Sequence, residues 1–201
     1  SNATSSQVWQ AVINSDPSAL NTLLTAEHID LIDKYDSKTG NSLLHIAATK
    51  PDSQILSILL EKMPSNINIP NTHLSTPLHL AVRFNATECV QCLIKYGADI
   101  NLEDEYGQSP LLIATIHSWL DPAAMIIHGS LNGHTPEPLD VDAKDERGIT
   151  ALNCAIIRED YRMVDLLVTR GMAGIEEEFG DGYSGLILAA RGKSGEGVDV
   201  L

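Results

Sequence analysis

The residues best suited to chemistry in this 201-residue chain are a Gly-Lys-Ser triplet, a C-x-x-C pair, seven histidines and a dense set of carboxylates. Gly192-Lys193-Ser194 has the ending of a phosphate-binding loop, in which glycine N–H groups cradle phosphate and the lysine neutralises it. That loop needs a glycine five residues earlier, where Ile187 stands, and a strand before it. Cys89 and Cys92 have the spacing of a redox or metal pair, but the chain holds three cysteines and no second pair to complete a zinc site. Both fall where corresponding stretches of the chain are apolar, as does Cys154, so all three are expected as buried thiols in a reducing compartment. His28, His73, His117, His128 and His134 share no ligand spacing such as H-E-x-x-H. Asn85-Ala86-Thr87 is a glycosylation sequon that matters only in a secreted protein. No Ser/His/Asp or Cys/His arrangement stands out, so a non-enzymatic protein without metal or cofactor is expected.

The carboxylates carry more. With 27 acidic and 13 basic side chains, the formal charge is −14. Such a chain lacks the basic footprint of a nucleic-acid binder and is repelled by anionic membranes. No apolar run approaches the roughly 18 residues of a membrane span. Thirteen of the 27 acids fall within residues 99–105, 137–146 and 176–181. Clustered charge of one sign steers an oppositely charged partner toward it.

The elements that must position these groups recur along the chain. Thr76 is a helix N-cap candidate and Pro77 suits the first helical position. Glu88 to Tyr96 reads as a second helix stopped by Gly97. Positions equivalent to Thr76 are Ser6, Ser42, Ser109, Thr150 and Ser184, all able to cap a helix. Five residues on stand Ala11, Ala47, Ala81, Ala114, Ala155 and Ala189. The branched pair closing each second helix repeats as Leu23-Leu24, Leu59-Leu60, Leu93-Ile94, Ile126-Ile127 and Leu167-Val168. From 6 to 42, 76, 109, 150 and 184 the intervals are 36, 34, 33, 41 and 34 residues.

Thr76-Pro77-Leu78-His79-Leu80-Ala81 followed by Gly97-Ala98-Asp99-Ile100-Asn101 resembles the ankyrin-repeat consensus, whose period is about 33 residues. Ser42 to Ala48, Ser109 to Ala114 and Thr150 to Ala155 are degenerate copies. The resemblance implies an all-α solenoid of stacked helix-turn-helix units joined by short β-hairpin connections. Ser1-Asn2-Ala3 resembles a cleavage scar, and residues 4–201 read as one ankyrin domain. Its units start near 6, 42, 76, 109 and 150, with a truncated sixth at 184 that suggests an excised piece of a longer chain. An eight-residue insertion, Leu131 to Pro138, has the composition of a surface loop. Leu74 occupies a turn position where the consensus has glycine, so that hairpin is expected to depart from the usual geometry. His45 and His79 take the place where the family's ring makes structural hydrogen bonds between repeats.

In the family the connections project as fingers, and the ends of the first helices line a concave surface beside them. Lys50, Arg83, Arg158 and Arg191 end first helices here, where cations also suit the helix dipole. The expected partner-binding set is Arg83, Phe84, Glu103, Asp104, Glu105, Tyr106, His117, Trp119, Asp145, Glu146, Arg147, Arg158 and Tyr183. The resemblance implies a monomeric scaffold, cytoplasmic or nuclear, holding a protein with a basic segment. Two other readings are the recruiting domain of a larger enzyme or host-directed bacterial effector, and an inhibitor of a Rel-type transcription factor. The last is suggested by Leu74, the insertion and the acidic charge. The register itself is testable: Ala81→Leu should overpack the stack and cost about 1–3 kcal/mol. An unchanged melting temperature would contradict the register.

Overall fold

The computed structural model describes residues 2–24, 36–62 and 66–171. Ten helices form there: α1 (Asn2–Ile13), α2 (Pro17–Leu23), α3 (Leu43–Ala48), α4 (Gln54–Lys62), α5 (Pro77–Arg83), α6 (Thr87–Lys95), α7 (Pro110–Ile116), α8 (Leu120–Leu131), α9 (Ala151–Ile157) and α10 (Tyr161–Thr169). Odd and even helices pair within each unit, α1, α3, α5, α7 and α9 stack on one another, and the even helices stack behind them. Ala11, Ala47, Ala81, Ala114 and Ala155 are buried, because the first helices approach too closely there for a larger side chain. The sixth unit, with Ala189, Arg191 and Tyr183, lies outside the described residues.

A helix of six or seven residues is unstable alone, so its ends and neighbours must hold it. Ser109 and Thr150 cap directly, accepting the N–H of Leu112 (3.3 Å) and Asn153 (3.1 Å). Ser6 does not cap: α1 begins at Asn2, which places Ser6 within the helix. At Ser42 and Thr76 the cap includes an imidazole. His45 Nδ1 accepts the backbone N–H of Ser42 at 3.1 Å, which leaves the ring proton on Nε2, 2.9 Å from the carbonyl of Ser75. His79 repeats the arrangement with Thr76 N–H (3.0 Å) and the carbonyl of Gln108 (3.1 Å). Each ring thus ties a helix start to the connection of the next repeat. In the fourth unit Leu112 fills that place, and this bridge is lost.

The connections fold back as expected, but among the described residues they contain no strand. Each is a turn closed by a pair of backbone bonds, such as Asp104 N–H to Gln108 C=O (3.1 Å) with Gly107 N–H to Asp104 C=O (2.9 Å), and Asp145 N–H to Ile149 C=O (3.1 Å) with Gly148 N–H to Asp145 C=O (2.8 Å). Single bonds join successive fingers: Thr72 N–H to Thr39 C=O (3.1 Å), Glu105 to His73 (3.0 Å) and Glu146 to Tyr106 (3.2 Å). Gly107 takes a left-handed φ of 71°, and a Cβ there would press on the backbone of Asp145 and Glu146. Leu74 corrects the expectation of a distorted turn. It adopts φ 54°, and its turn keeps the usual bonds, Leu74 N–H to Asn71 C=O (3.1 Å) and Asn71 N–H to Ser75 C=O (2.9 Å). The turn geometry is retained, and the leucine bears a strain of about 1–2 kcal/mol.

The turns inside the units follow a second rule. Ser15, Asn85, Ser118 and Glu159 all take positive φ, nine residues beyond the hydroxyl position. The second unit has Pro51 at that place, whose ring forbids positive φ. Its turn instead leaves carbonyls near Cys89, whose Sγ lies 3.3 Å from Lys50 O and 3.4 Å from Asp52 O. Burial raises the Cys89 thiol to about 12, and Cys92 and Cys154 are raised by burial as well. All three are free thiols, but only Cys89 and Cys92 are buried as expected; Cys154 is half-buried against the core. Leu131, the first residue of the expected insertion, closes α8, and Gly133 (φ 69°) ends the helix as Gly97 ends α6. Asn101 pins the far end of the insertion, donating to Pro138 O (2.7 Å) and accepting Asp140 N–H (2.9 Å).

Burial lowers the pKa of His79 to about 4, against the opposing pull of Asp104, and it lowers His45 also. The unfolded rings titrate near 6.5, so the unfolded state binds protons more readily as the pH drops. Stability is therefore full above about pH 6.5 and falls between there and about pH 4. For His79 the loss approaches about 3 kcal/mol at its lower end. Urea midpoints should drop between pH 7.5 and 5, a window above ordinary carboxylate titration. In His79→Gln the slope should flatten by about half, and equal slopes would show that the bridge titrates elsewhere.

Candidate functional site

Between the fingers and the ends of the first helices lies a groove of about 540 Å³ spanning the third, fourth and fifth units. Arg83, Tyr106, Gln108, Ile113, Ile116, His117, Glu146 and Arg147 line it. Arg83 closes α5, and Ile113 and Ile116 lie along α7, where His117 is the C-cap. Tyr106 and Gln108 come from one finger, Glu146 and Arg147 from the next. The bond from Glu146 N–H to Tyr106 C=O fixes the spacing of those two fingers.

Beneath the groove the charges are already matched. Asp104 Oδ1 accepts the N–H groups of Tyr106 and Gln108, both at 3.0 Å, while Oδ2 pairs with Arg83 Nη2 at 2.9 Å. Asp145 accepts from Arg147 N–H (3.0 Å) and Ile149 N–H (2.9 Å), and its Oδ2 holds Arg147 Nη2 at 2.7 Å. Both carboxylates are only 1% exposed. Burial would raise the Asp145 carboxyl, but the N–H of Ile149 and the Arg147 side chain outweigh it and hold it below the usual range. Asn71 occupies the same place one unit earlier, accepting from His73 N–H (2.9 Å) and Ser75 N–H (3.0 Å). These residues fasten the finger turns, so Asp104 and Asp145, expected in the partner-binding set, are buried turn anchors and present no carboxylate to a partner.

The other expected residues divide by exposure. Glu103 and Glu146 are exposed on the finger rim. Glu105 sits between His73, whose Nδ1 is 2.7 Å from its carboxylate, and Tyr106, whose hydroxyl it raises in pKa by hydrogen bonding. Phe84 is 62% exposed and Tyr106 54%. Trp119 is half-buried and stacks on His117 with ring centroids 6.1 Å apart, its buried Nε1 meeting no acceptor among the described residues. Arg158 is exposed at the C-cap of α9. Lys50 Nζ donates to the carbonyl of Ile13 at 2.7 Å, which ties its head to the first unit at the surface. Sequence reasoning missed Gln108, Ile113 and Ile116 in the groove, and Ile157, which is 61% exposed. The signal for Ile116 and Ile157 is the place of Arg83, seven residues after each cap, which the chain fills with both charge and branched apolar groups.

Among the described residues no group of His, Cys, Asp and Glu could hold a metal ion. No described helix is long and apolar enough to cross a membrane.

A family model for ankyrin repeats in three copies matches residues 8–104 and again 71–135. Among curated proteins, the nuclear factor NF-kappa-B p105 subunit of Gallus gallus is 30% identical over 173 residues, covering 84% of this chain and 16% of that protein. NF-kappa-B inhibitor epsilon of Homo sapiens is 28% identical, covering 68% of this chain and 28% of its own length. The human B-cell lymphoma 3 protein is 30% identical, covering 77% of this chain and 34% of itself. The chain therefore spans about a third or less of each of these relatives.

The anchor role separates two substitutions at one residue. Asp145→Ala should destabilise by about 1–3 kcal/mol, since two buried N–H groups lose their acceptor. Asp145→Asn should lose less, because Asn71 makes the same turn. Equal losses in denaturant midpoint would mean that the ion pair with Arg147, rather than the turn, carries the effect.

Proposed function

The chain belongs to the ankyrin-repeat family, and from that premise we propose that it holds a partner protein in the groove between its third, fourth and fifth units. Ankyrin repeats are protein-interaction modules. The observation that carries the reading is the groove lining itself, where exposed Tyr106 and Glu146 stand together, with exposed Phe84 next in sequence to the lining residue Arg83 and Glu103 and Glu105 on the finger that carries Tyr106. Aromatic anchors supply interface energy, while rim carboxylates set the rate and sign of approach. The partner segment is basic. Overall charge of −14 extends the attraction beyond contact distance, within a Debye length of about 8 Å at physiological salt.

The relatives favour a second reading. Two carry NF-kappa-B in their names, one as its inhibitor. In this reading the groove engages a transcription factor of that type, in the cytoplasm or nucleus. Purified NF-kappa-B dimers titrated against the chain at two salt concentrations test it directly. Absence of binding at micromolar concentration would remove the transcription-factor partner and leave the general scaffold reading standing.

Kinetics on a recovered partner test that scaffold. The triple variant Glu103→Gln/Glu105→Gln/Glu146→Gln should associate about tenfold more slowly and with a flatter salt dependence. Phe84→Ala or Tyr106→Ala should instead speed dissociation. Unchanged kinetics in every variant would place the interface elsewhere.

A further inference from the structure

We propose that the groove contains a subsite for one partner arginine, its aliphatic stem on Ile116 and its guanidinium between the Tyr106 ring and the Glu146 carboxylate. This rests on the protein-binding reading of the same groove and narrows its partner.

The charges in the groove point to that occupant. Two guanidinium groups line it, yet each is bound to a buried carboxylate of a finger turn, Arg83 to Asp104 and Arg147 to Asp145. Those pairs cancel locally. Glu146 is then the groove's uncompensated charge, and it is exposed. A negative group at the edge of an apolar floor selects a long cationic side chain, because such a chain buries its methylenes while keeping its head polar.

The shape of the lining refines cation to arginine. Ile116 is half-buried and gives the stem an apolar surface, while Ile113, also in the lining, is only 1% exposed. Tyr106 offers a ring that is 54% exposed, and its backbone is bonded to that of Glu146, so ring and carboxylate come from adjoining fingers. A planar guanidinium can stack on the ring and donate to the carboxylate together, whereas an ammonium is a compact, strongly hydrated charge. Gln108 adds a side-chain amide to the lining, while its backbone carbonyl is already taken by His79. Trp119, stacked on His117 in the groove wall, makes occupancy visible in its fluorescence.

The test uses a random dodecapeptide phage library selected on the wild-type chain. Enriched peptides should share an arginine and perturb Trp119 fluorescence. Replacing that arginine by citrulline, which keeps the shape and removes the charge, should weaken binding at least tenfold. Lysine should weaken it less than citrulline, and Glu146→Gln and Tyr106→Ala should each weaken it about tenfold. Basic peptides that bind equally to wild type, Glu146→Gln and Tyr106→Ala overturn the arginine subsite and leave the basic-segment reading intact. A selection that returns no basic peptide, or no binder, overturns both. The citrulline arm leaves the protein unaltered, so a folding defect in a variant cannot imitate the result.

Discussion

A neutral imidazole bridging two repeats is the interaction on which the rest of this stack depends. His45 and His79 each accept a backbone N–H at one nitrogen and donate from the other to a carbonyl in the following connection. That geometry permits one tautomer and excludes the charged ring, since a second proton would have to sit where an N–H already points. Register between the second, third and fourth units follows from it. Helices of six or seven residues have too few internal bonds to persist alone, and the bridge links their formation to that of their neighbours. Where Leu112 stands instead, the fourth unit caps directly through Ser109, and its link to the fifth depends on apolar packing and the bond between fingers.

The same economy governs the acids. A finger turn needs an acceptor for two adjacent N–H groups, and Asn71, Asp104 and Asp145 provide it in successive units. Choosing aspartate over asparagine adds a buried charge, which burial alone would disfavour; Arg83 and Arg147 offset it. The ion pairs thereby rigidify the finger bases and fix two guanidinium groups at the groove. A charge that stabilises the fold is no longer available to attract a partner. In the reading proposed above, the potential toward a partner comes from Glu103, Glu105 and Glu146, which are carried on the turns that the buried aspartates fasten.

Family membership and groove chemistry answer different questions. The first establishes a stack that presents fingers and helix ends on a protein-binding module. It leaves the partner open, since a fold hosts many functions through the particular side chains grafted on it. Here those side chains are an exposed tyrosine and phenylalanine, a stacked His117–Trp119 pair and a carboxylate rim over two isoleucines. Leu74 stands apart. A bulky residue held at φ 54° and 54% exposed is accepted because the turn's hydrogen bonds outweigh its strain.

The sequence by itself determined the architecture of this protein. Hydroxyl caps, the alanine five residues on and the closing branched pair recur at a nearly constant interval, and each has a local physical meaning that survives without knowledge of the neighbours. The buried alanines and the buried Cys89 and Cys92 were legible for that reason, as were the structural histidines once the family was recognised. Charge was not legible in the same way. Asp104 and Glu103 are adjacent letters of one acidic cluster, yet one is buried under two N–H groups and an arginine while the other faces water. Only the folded turn distinguishes them, because solvation depends on what lies opposite a side chain in space. The same holds for Lys50, whose head meets the carbonyl of Ile13 of the first unit, and for Leu74, whose turn kept its geometry because backbone bonds fixed it. The groove joins Arg83 to Arg147 across 64 positions of sequence. A repeat pattern specifies where each unit's residues stand, but the surface between units forms only when stacking brings those units together.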